Sequence, residues 1–318
     1  MRTRRLTTAL LGAALVLVTA ACGETVSTAG PPTVAIVAKG FQHQFWQAVR
    51  KGAEQEAAKE KVRVTFEGPA TESDIEGQVR MLNLVLGRRP AALGFAALDS
   101  KAAAPLLDEA KSRNIPVVAF DSGVDSDLPL TTAATDNKAA AAEAAKHMAE
   151  AIGGSGKVAL VVHDQISRSG VDRRDGFIEW MKANAPGVQL LDTQYGSGDK
   201  DQSAAITASL IAANPDLKGI YGTNEGSAIG IARGVVASGR TGLAVIGFDS
   251  GKDQIDAIRN GTMLGAITQN PIGIGEQTVA AAVKAIHGEK LPKVIDTGFF
   301  WYDKNNIDTP EIQAVIYQ

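Results

Sequence analysis

The sequence predicts an α/β protein of two similarly built lobes, each a parallel sheet covered by helices. Three observations carry this. At 318 residues the chain is about twice a typical domain. Short apolar runs alternate with amphipathic segments from Thr33 onward, the signature of strand–helix units. The pattern then restarts: KVALVV at 157–162 echoes TVAIVA at 33–38, and each run is followed by a polar loop and an aromatic-bearing helix.

The first lobe reads in order. Residues 34–38 form a buried strand. Trp46, Val49, Ala53 and Ala57 follow at helical spacing. Residues 62–66 make a second strand, and Ile75, Val79, Leu82 and Leu86 mark the next helix. Strands at 91–95 and 115–120 flank a helix carrying Leu106, Leu107 and Ala110. The segment TTAATDN at 131–137 reads as the first crossing between lobes; so short a connection suits a hinge better than a loose tether.

In the second lobe, GGSGK at 153–157 resembles a phosphate loop but lacks the Ser or Thr after its lysine. A strand, not a helix, follows it, so it reads as a turn. Strands are expected at 157–162, 190–195, 219–221 and 243–248. The C-terminal part adds a strand at 264–268, a helix at 272–286 and a strand at 296–302; periodicity does not assign these to either lobe.

Composition narrows the function. The chain is 45% hydrophobic and 21% charged, with a net charge of −3. It has no basic excess for a nucleic-acid backbone. A single cysteine excludes internal disulfides and thiolate metal cages, and the four histidines match no metal-ligand spacing. Gly273-Ile-Gly275 lacks a dinucleotide fingerprint, and no nucleophile elbow is present. No metal, cofactor or enzymatic activity is expected.

The N-terminus reads as an export signal. Arg2, Arg4 and Arg5 precede an uncharged stretch at 9–21, too short to span a bilayer. It ends in Thr19-Ala20-Ala21-Cys22, which resembles a lipobox with Thr19 in the place of the usual Leu. An ordinary signal peptide with an incidental Cys22, or a twin-arginine signal, are the alternatives. Residues 1–21 are thus expected to be removed and Cys22 acylated, with 22–32 as a tether. Removing three arginines takes the net charge to about −6. The expected location is the outer side of the cytoplasmic membrane.

The candidate site residues stand at strand ends, where open α/β sheets bind ligands. Asp121, Asn224, Asp249 and Gln269 each follow an apolar run, and Arg173 starts the helix after KVALVV. Each has a structural alternative as a helix cap or solvated charge. Together they match a sugar's hydroxyls: carboxylates accept, guanidinium donates in a fork, and amides do both. Phe45, Trp46 and Phe248 offer flat apolar partners, with core packing as the alternative for at least one of Phe45 and Trp46.

The chain resembles the ribose-binding kind of type I periplasmic binding protein, the substrate-binding component of ABC sugar importers, from about Thr33 to Lys290. The matching stretches include FQHQFWQAVRKGAEQEA at 41–57, IPVVAFDS at 115–122, VDRRDGF at 171–177, NPDLKGIYGTNEGSAIG at 214–230, AVIGFDS at 244–250 and GAITQNPIGIG at 265–275. The resemblance implies two Rossmann-like lobes joined by a three-strand hinge crossing near Asp136, Gln269–Asn270 and Gly298. It implies lobes of 33–135 plus 270–297 and 136–269 plus 298–318, with the sugar or polyol buried between them. By position, Phe45, Trp46, Asp121, Arg173, Asn224, Phe248, Asp249 and Gln269 match the family's sugar contacts. His43 stands where a ribose binder carries Asn, Lys39 adds a charge, and Ala96, Ser122 and Gly198 depart from the pattern. The implied protein is a monomer that delivers its ligand to a membrane permease. A receptor serving a sensor kinase or chemoreceptor is the alternative. A sugar-responsive repressor of the LacI type would carry a DNA-binding helix pair where this sequence has residues 2–22.

Overall fold

The computed structural model describes residues 30–317; the expected export segment and Cys22 lie outside the described residues. In chain order the first part runs β1 (Thr33–Val37), α1 (Gln44–Glu60), β2 (Arg63–Glu67), α2 (Ile75–Gly87), β3 (Ala92–Phe95), α3 (Ala104–Ser112), β4 (Val117–Phe120) and β5 (Thr131–Ala134). The second runs α4 (Asn137–Ala151), β6 (Ser155–Val162), α5 (Arg168–Asn184), β7 (Gly187–Leu190), β8 (Gln194–Tyr195), α6 (Lys200–Ala213), β9 (Leu217–Gly222), α7 (Glu225–Ser238), β10 (Ala244–Phe248), α8 (Lys252–Arg259) and β11 (Gly265–Gln269). The chain closes with α9 (Pro271–Ile286), β12 (Val294–Asp296), β13 (Phe299–Asp303) and α10 (Pro310–Gln313).

Two sheets result, with matching strand order. The first is β12-β5-β4-β3-β1-β2; the second is β13-β11-β10-β9-β6-β7, with β8 also on β6. The internal echo of the sequence is therefore an echo of topology. Within each sheet the central strands are parallel, so their carboxyl ends point one way. Among the described strands, the one antiparallel partner is β13, on β11. Each sheet is buried on both faces. Val34, Ile36 and Val118 pack under α1 and α9, and Ala35, Val37 and Leu93 under α2 and α3. The second sheet is covered in the same way by α4 and α5 on one side and α6 to α8 on the other.

The chain passes between the lobes three times, between β5 and α4, between β11 and α9, and between β12 and β13. After α10 the C-terminal end crosses once more, so that Tyr317, expected in the second lobe, sits in the first core and packs on Phe45 with ring centroids 6.2 Å apart.

Three strand expectations change. Residues 131–134 form β5 before the crossing; Thr131 and Ala133 are fully buried between β4 and β12, which the polar reading of TTAATDN concealed. The expected strand at 190–195 is two strands, β7 and β8, interrupted at 191–193. They pair with successive parts of β6. The expected strand at 296–302 is also two, and they belong to different sheets. Gly298, at φ +77°, makes the turn between them. The GGSGK segment is a turn into β6, with Gly153 and Gly154 both at φ +71°.

Candidate functional site

The carboxyl ends of the two sheets face each other, and this brings the strand-end residues around one narrow cavity, with about 20 Å³ of room for water-sized groups. Lys39 follows β1, His43 precedes α1, and Phe45 and Trp46 lie in its first turn. Asp121 follows β4. From the second lobe come Arg173 on α5, Asn224 between β9 and α7, Asp249 after β10 and Gln269 at the end of β11. Nine of the ten residues picked out in the sequence line this space.

Phe248 does not line it. Its ring is fully buried in the second core, and the Arg173 guanidinium lies over it, 3.7 Å from the centroid. The ring supports Arg173 from behind. Arg173 is further fixed by donating from Nε to Asn137 Oδ1 at 2.7 Å and from Nη1 to the Thr223 carbonyl at 2.9 Å. A guanidinium held on three sides presents its remaining edge in one orientation.

Three lining residues escaped the sequence reading: Glu72, His163 and Ser169. The internal echo offered a signal for His163, because aligning TVAIVA with KVALVV places Lys39 opposite His163. Glu72 sits in the loop after β2, where no periodicity marks it. It accepts the Trp46 indole N–H at 2.7 Å, which shows how Trp46 is anchored.

The charges oppose one another across the cavity. Lys39 Nζ lies 3.4 Å from the hydroxyls of both Ser167 and Ser169, and 3.9 Å from Asp164. Burial pushes Glu72 up, but Lys39, His43 and His163 and the Trp46 hydrogen bond outweigh it and hold the carboxyl below its ordinary range. Asp121 goes the other way. Burial pushes it up to about 6, only partly offset by Lys39 and Arg173. Burial also raises Asp249, against the pull of Arg173. Burial lowers His163 to about 3, with the charges of Lys39 and Arg173 adding to it against the pull of Asp164. Its Nδ1 lies 2.8 Å from Thr223 Oγ1.

The cap and ligand roles considered for these residues are not exclusive. Asn224 caps α7, its Oδ1 accepting from Ser227 N at 2.9 Å, while its amide nitrogen lies 3.4 Å from His43 Nε2 across the cleft. Asp249 accepts from Glu225 N at 2.9 Å and from Gln269 Nε2 at 2.7 Å. The other amide atom, Gln269 Oε1, is buried without a protein partner. Among the described residues, no group of three or more His, Cys, Asp or Glu side chains is placed to hold a metal ion. The arrangement as a whole offers a compact guest several acceptors, several donors and aromatic walls.

A family model described as a periplasmic binding protein domain matches residues 34–290. The D-allose-binding periplasmic protein of Escherichia coli strain K12 is 28% identical over 270 residues, covering 82% of this chain and 86% of the relative. Among solved structures, an ABC transporter solute-binding protein from Agrobacterium vitis with bound D-fucose superposes with a TM-score of 0.87 at 36% identity. That match covers 90% of this chain and 100% of the other. Another protein of that kind from the same organism, bound with α-D-tagatopyranose, gives 0.86 at 30% identity, over 90% and 99%.

Proposed function

Because this chain belongs to the periplasmic binding protein domain family, we propose that it is the extracytoplasmic substrate-binding protein of an ABC importer. It captures a monosaccharide or a related small polyol in the interlobe cavity and delivers it to a membrane permease. One observation carries this reading: acceptors and donors from both lobes, held by strand ends, enclose a single small space. A ring of hydroxyls satisfies such a set, because each hydroxyl both donates and accepts. Asp121 and Glu72 accept from one lobe, Arg173 and Asn224 donate from the other, and Phe45 and Trp46 flank the apolar face. Closure removes water from these groups, so bound ligand stabilises the closed form over the open one. The role calls for no covalent step. Acylation of Cys22 would hold the protein at the membrane surface.

The test is a melting series of the purified protein against pentoses, hexoses, polyols and nucleosides, with D-allose, D-fucose, D-tagatose and D-arabinose included. A true ligand at a hundredfold excess over its dissociation constant should add about 2.7 kcal/mol of stability. A flat response to the whole series would overturn the proposal.

A further inference from the structure

Two helices at the mouth of the cleft lack caps from their own lobe. At the start of α1 the N-cap is His43, whose side chain makes no capping bond. At the start of α8 it is Gly251, which has no side chain to offer. The first amides of a helix have no partner within it. Here they find one in the opposite lobe. Glu225, the first residue of α7, accepts Gln44 N at Oε1 and Phe45 N at Oε2, each at 3.1 Å. Gln44 returns the contact, its Oε1 accepting Lys252 N at the start of α8 at 2.8 Å.

We propose that Glu225 and Gln44 are positioning residues that latch the lobes by capping each other's helices, and so set ligand affinity without touching ligand. The exchange is reciprocal: one carboxylate from the second lobe caps α1, and one amide from α1 caps α8. Glu225 is buried at the positive ends of both α1 and α7; burial raises its carboxyl above the ordinary range, against the pull of His43 and of the Gln44 and Phe45 amides. Its own amide donates to Asp249 Oδ2 at 2.9 Å, tying the latch to a residue of the cavity wall. A side chain at Gly251 would displace the latch, since a Cβ there would lie 2.8 Å from Glu225 Cδ. Opening the cleft leaves these amides to water. The apparent dissociation constant scales inversely with the closed, binding-competent fraction, so a weaker latch weakens binding.

The inference rests on the binding reading above, and its test separates the two. Gln44→Ala, Glu225→Gln and Glu225→Ala are compared with the parent protein. Affinity is measured by calorimetry for whichever of D-ribose, D-allose, D-fucose and D-arabinose stabilises it most. Losing one neutral hydrogen bond should weaken binding about 5-fold in Gln44→Ala. Losing both bonds to a charged acceptor should cost about 10- to 100-fold in Glu225→Ala, with Glu225→Gln intermediate. The loss should fall on the dissociation rate, and the ligand-free melting temperature of Gln44→Ala should match the parent. Unchanged affinity in Gln44→Ala and Glu225→Gln overturns the latch, as does a loss matched by equal destabilisation without ligand. If none of the four sugars binds, the sugar reading suffers, and the latch is judged from interlobe distances between spin labels in the ligand-free protein. A closed fraction that shrinks in the variants supports it; no closed fraction, or one that does not shrink, overturns it.

Discussion

Asp121 and Asp249 hold the same position in the two lobes and differ in what their carboxylates meet. Each follows the fourth strand along its sheet and adopts a left-handed backbone, with φ of +53° and +80°. Each amide donates to the fifth strand, Asp121 to the Ala133 carbonyl at 3.0 Å and Asp249 to Ile267 at 2.6 Å. A non-glycine residue in this region is uncommon, and Asp adopts it more readily than most. The Asp249 carboxylate accepts from Glu225 N and Gln269 Nε2. The Asp121 carboxylate makes no hydrogen bond or ion pair among the described residues, although it is nearly fully buried.

Asp121→Asn should therefore stabilise the ligand-free protein while weakening ligand binding. The folded pKa of about 6 lies above the ordinary 3.8, so ionisation disfavours the folded state. That penalty is absent below about pH 4, grows through the interval and is complete above about pH 6, reaching at most about 3 kcal/mol. The gain from Asp121→Asn should appear in denaturant titrations at pH 7.5 and vanish at pH 4. Sugar affinity of the parent should fall as pH drops through 6, because the carboxylate is the better acceptor of ligand hydroxyls. A gain of equal size at both pH values would contradict this.

Asp249→Ala should behave differently. It strands the Glu225 amide and the Gln269 side-chain nitrogen, and removes the charge that faces Arg173. Unsatisfied buried groups cost about 1–3 kcal/mol each. Chemical unfolding should show a loss of about 2–4 kcal/mol without ligand, where Asp121→Ala shows none. Equal behaviour of the two alanine variants would mean that the Asp249 contacts contribute nothing.

The contrast shows what the sequence makes legible. Buried parallel strands are apolar runs that end abruptly, so the polar residue after each run is visible, and with it the site-facing edge of both sheets. The repeat of TVAIVA and KVALVV exposes the doubling of the lobes and pairs Lys39 with His163. What a strand-end side chain touches is set by neighbours distant in sequence. That is why Asp249 looks like Asp121 on paper, why Phe248 reads as a ligand platform rather than the support under Arg173, and why Glu72 passes unnoticed. β5 is hidden because Thr131–Ala134 owes its burial to β12, about 160 residues away.

Phe248→Leu tests that support. The ring makes no wall of the cavity, yet the guanidinium lies on its face. Losing a buried cation–π contact is worth about 1–2 kcal/mol, so ligand affinity should fall about 5- to 30-fold by calorimetry. Leucine keeps most of the apolar contact in the second core, and the protein should remain folded with two or fewer kcal/mol lost, about the cost of an imperfect core swap. An unchanged dissociation constant would show that Asn137 and Thr223 orient Arg173 by themselves.

The joint between α1 and α9 sets where Phe45 and Trp46 stand, and it has no room for a methyl group. A Cβ on Gly52 would lie 2.0 Å from the Ile272 carbonyl oxygen, and one on Gly275 2.0 Å from that of Val49. The two backbones meet at glycines from both sides, and neither obstacle is a side chain that could swing away. Gly52→Ala or Gly275→Ala must push the helices apart, at a cost of about 3 kcal/mol in denaturant titrations. α9 begins two residues after Gln269, and α1 carries both aromatic walls in its first turn, so ligand affinity should fall along with stability. Gly87→Ala is the matched control: its Cβ meets nothing within 4 Å at the end of α2. That substitution should be neutral or stabilise by about 0.5 kcal/mol, the ordinary helix preference of alanine over glycine. Equal effects at Gly52 and Gly87 would show that helix propensity, not the closeness of α1 and α9, governs this face.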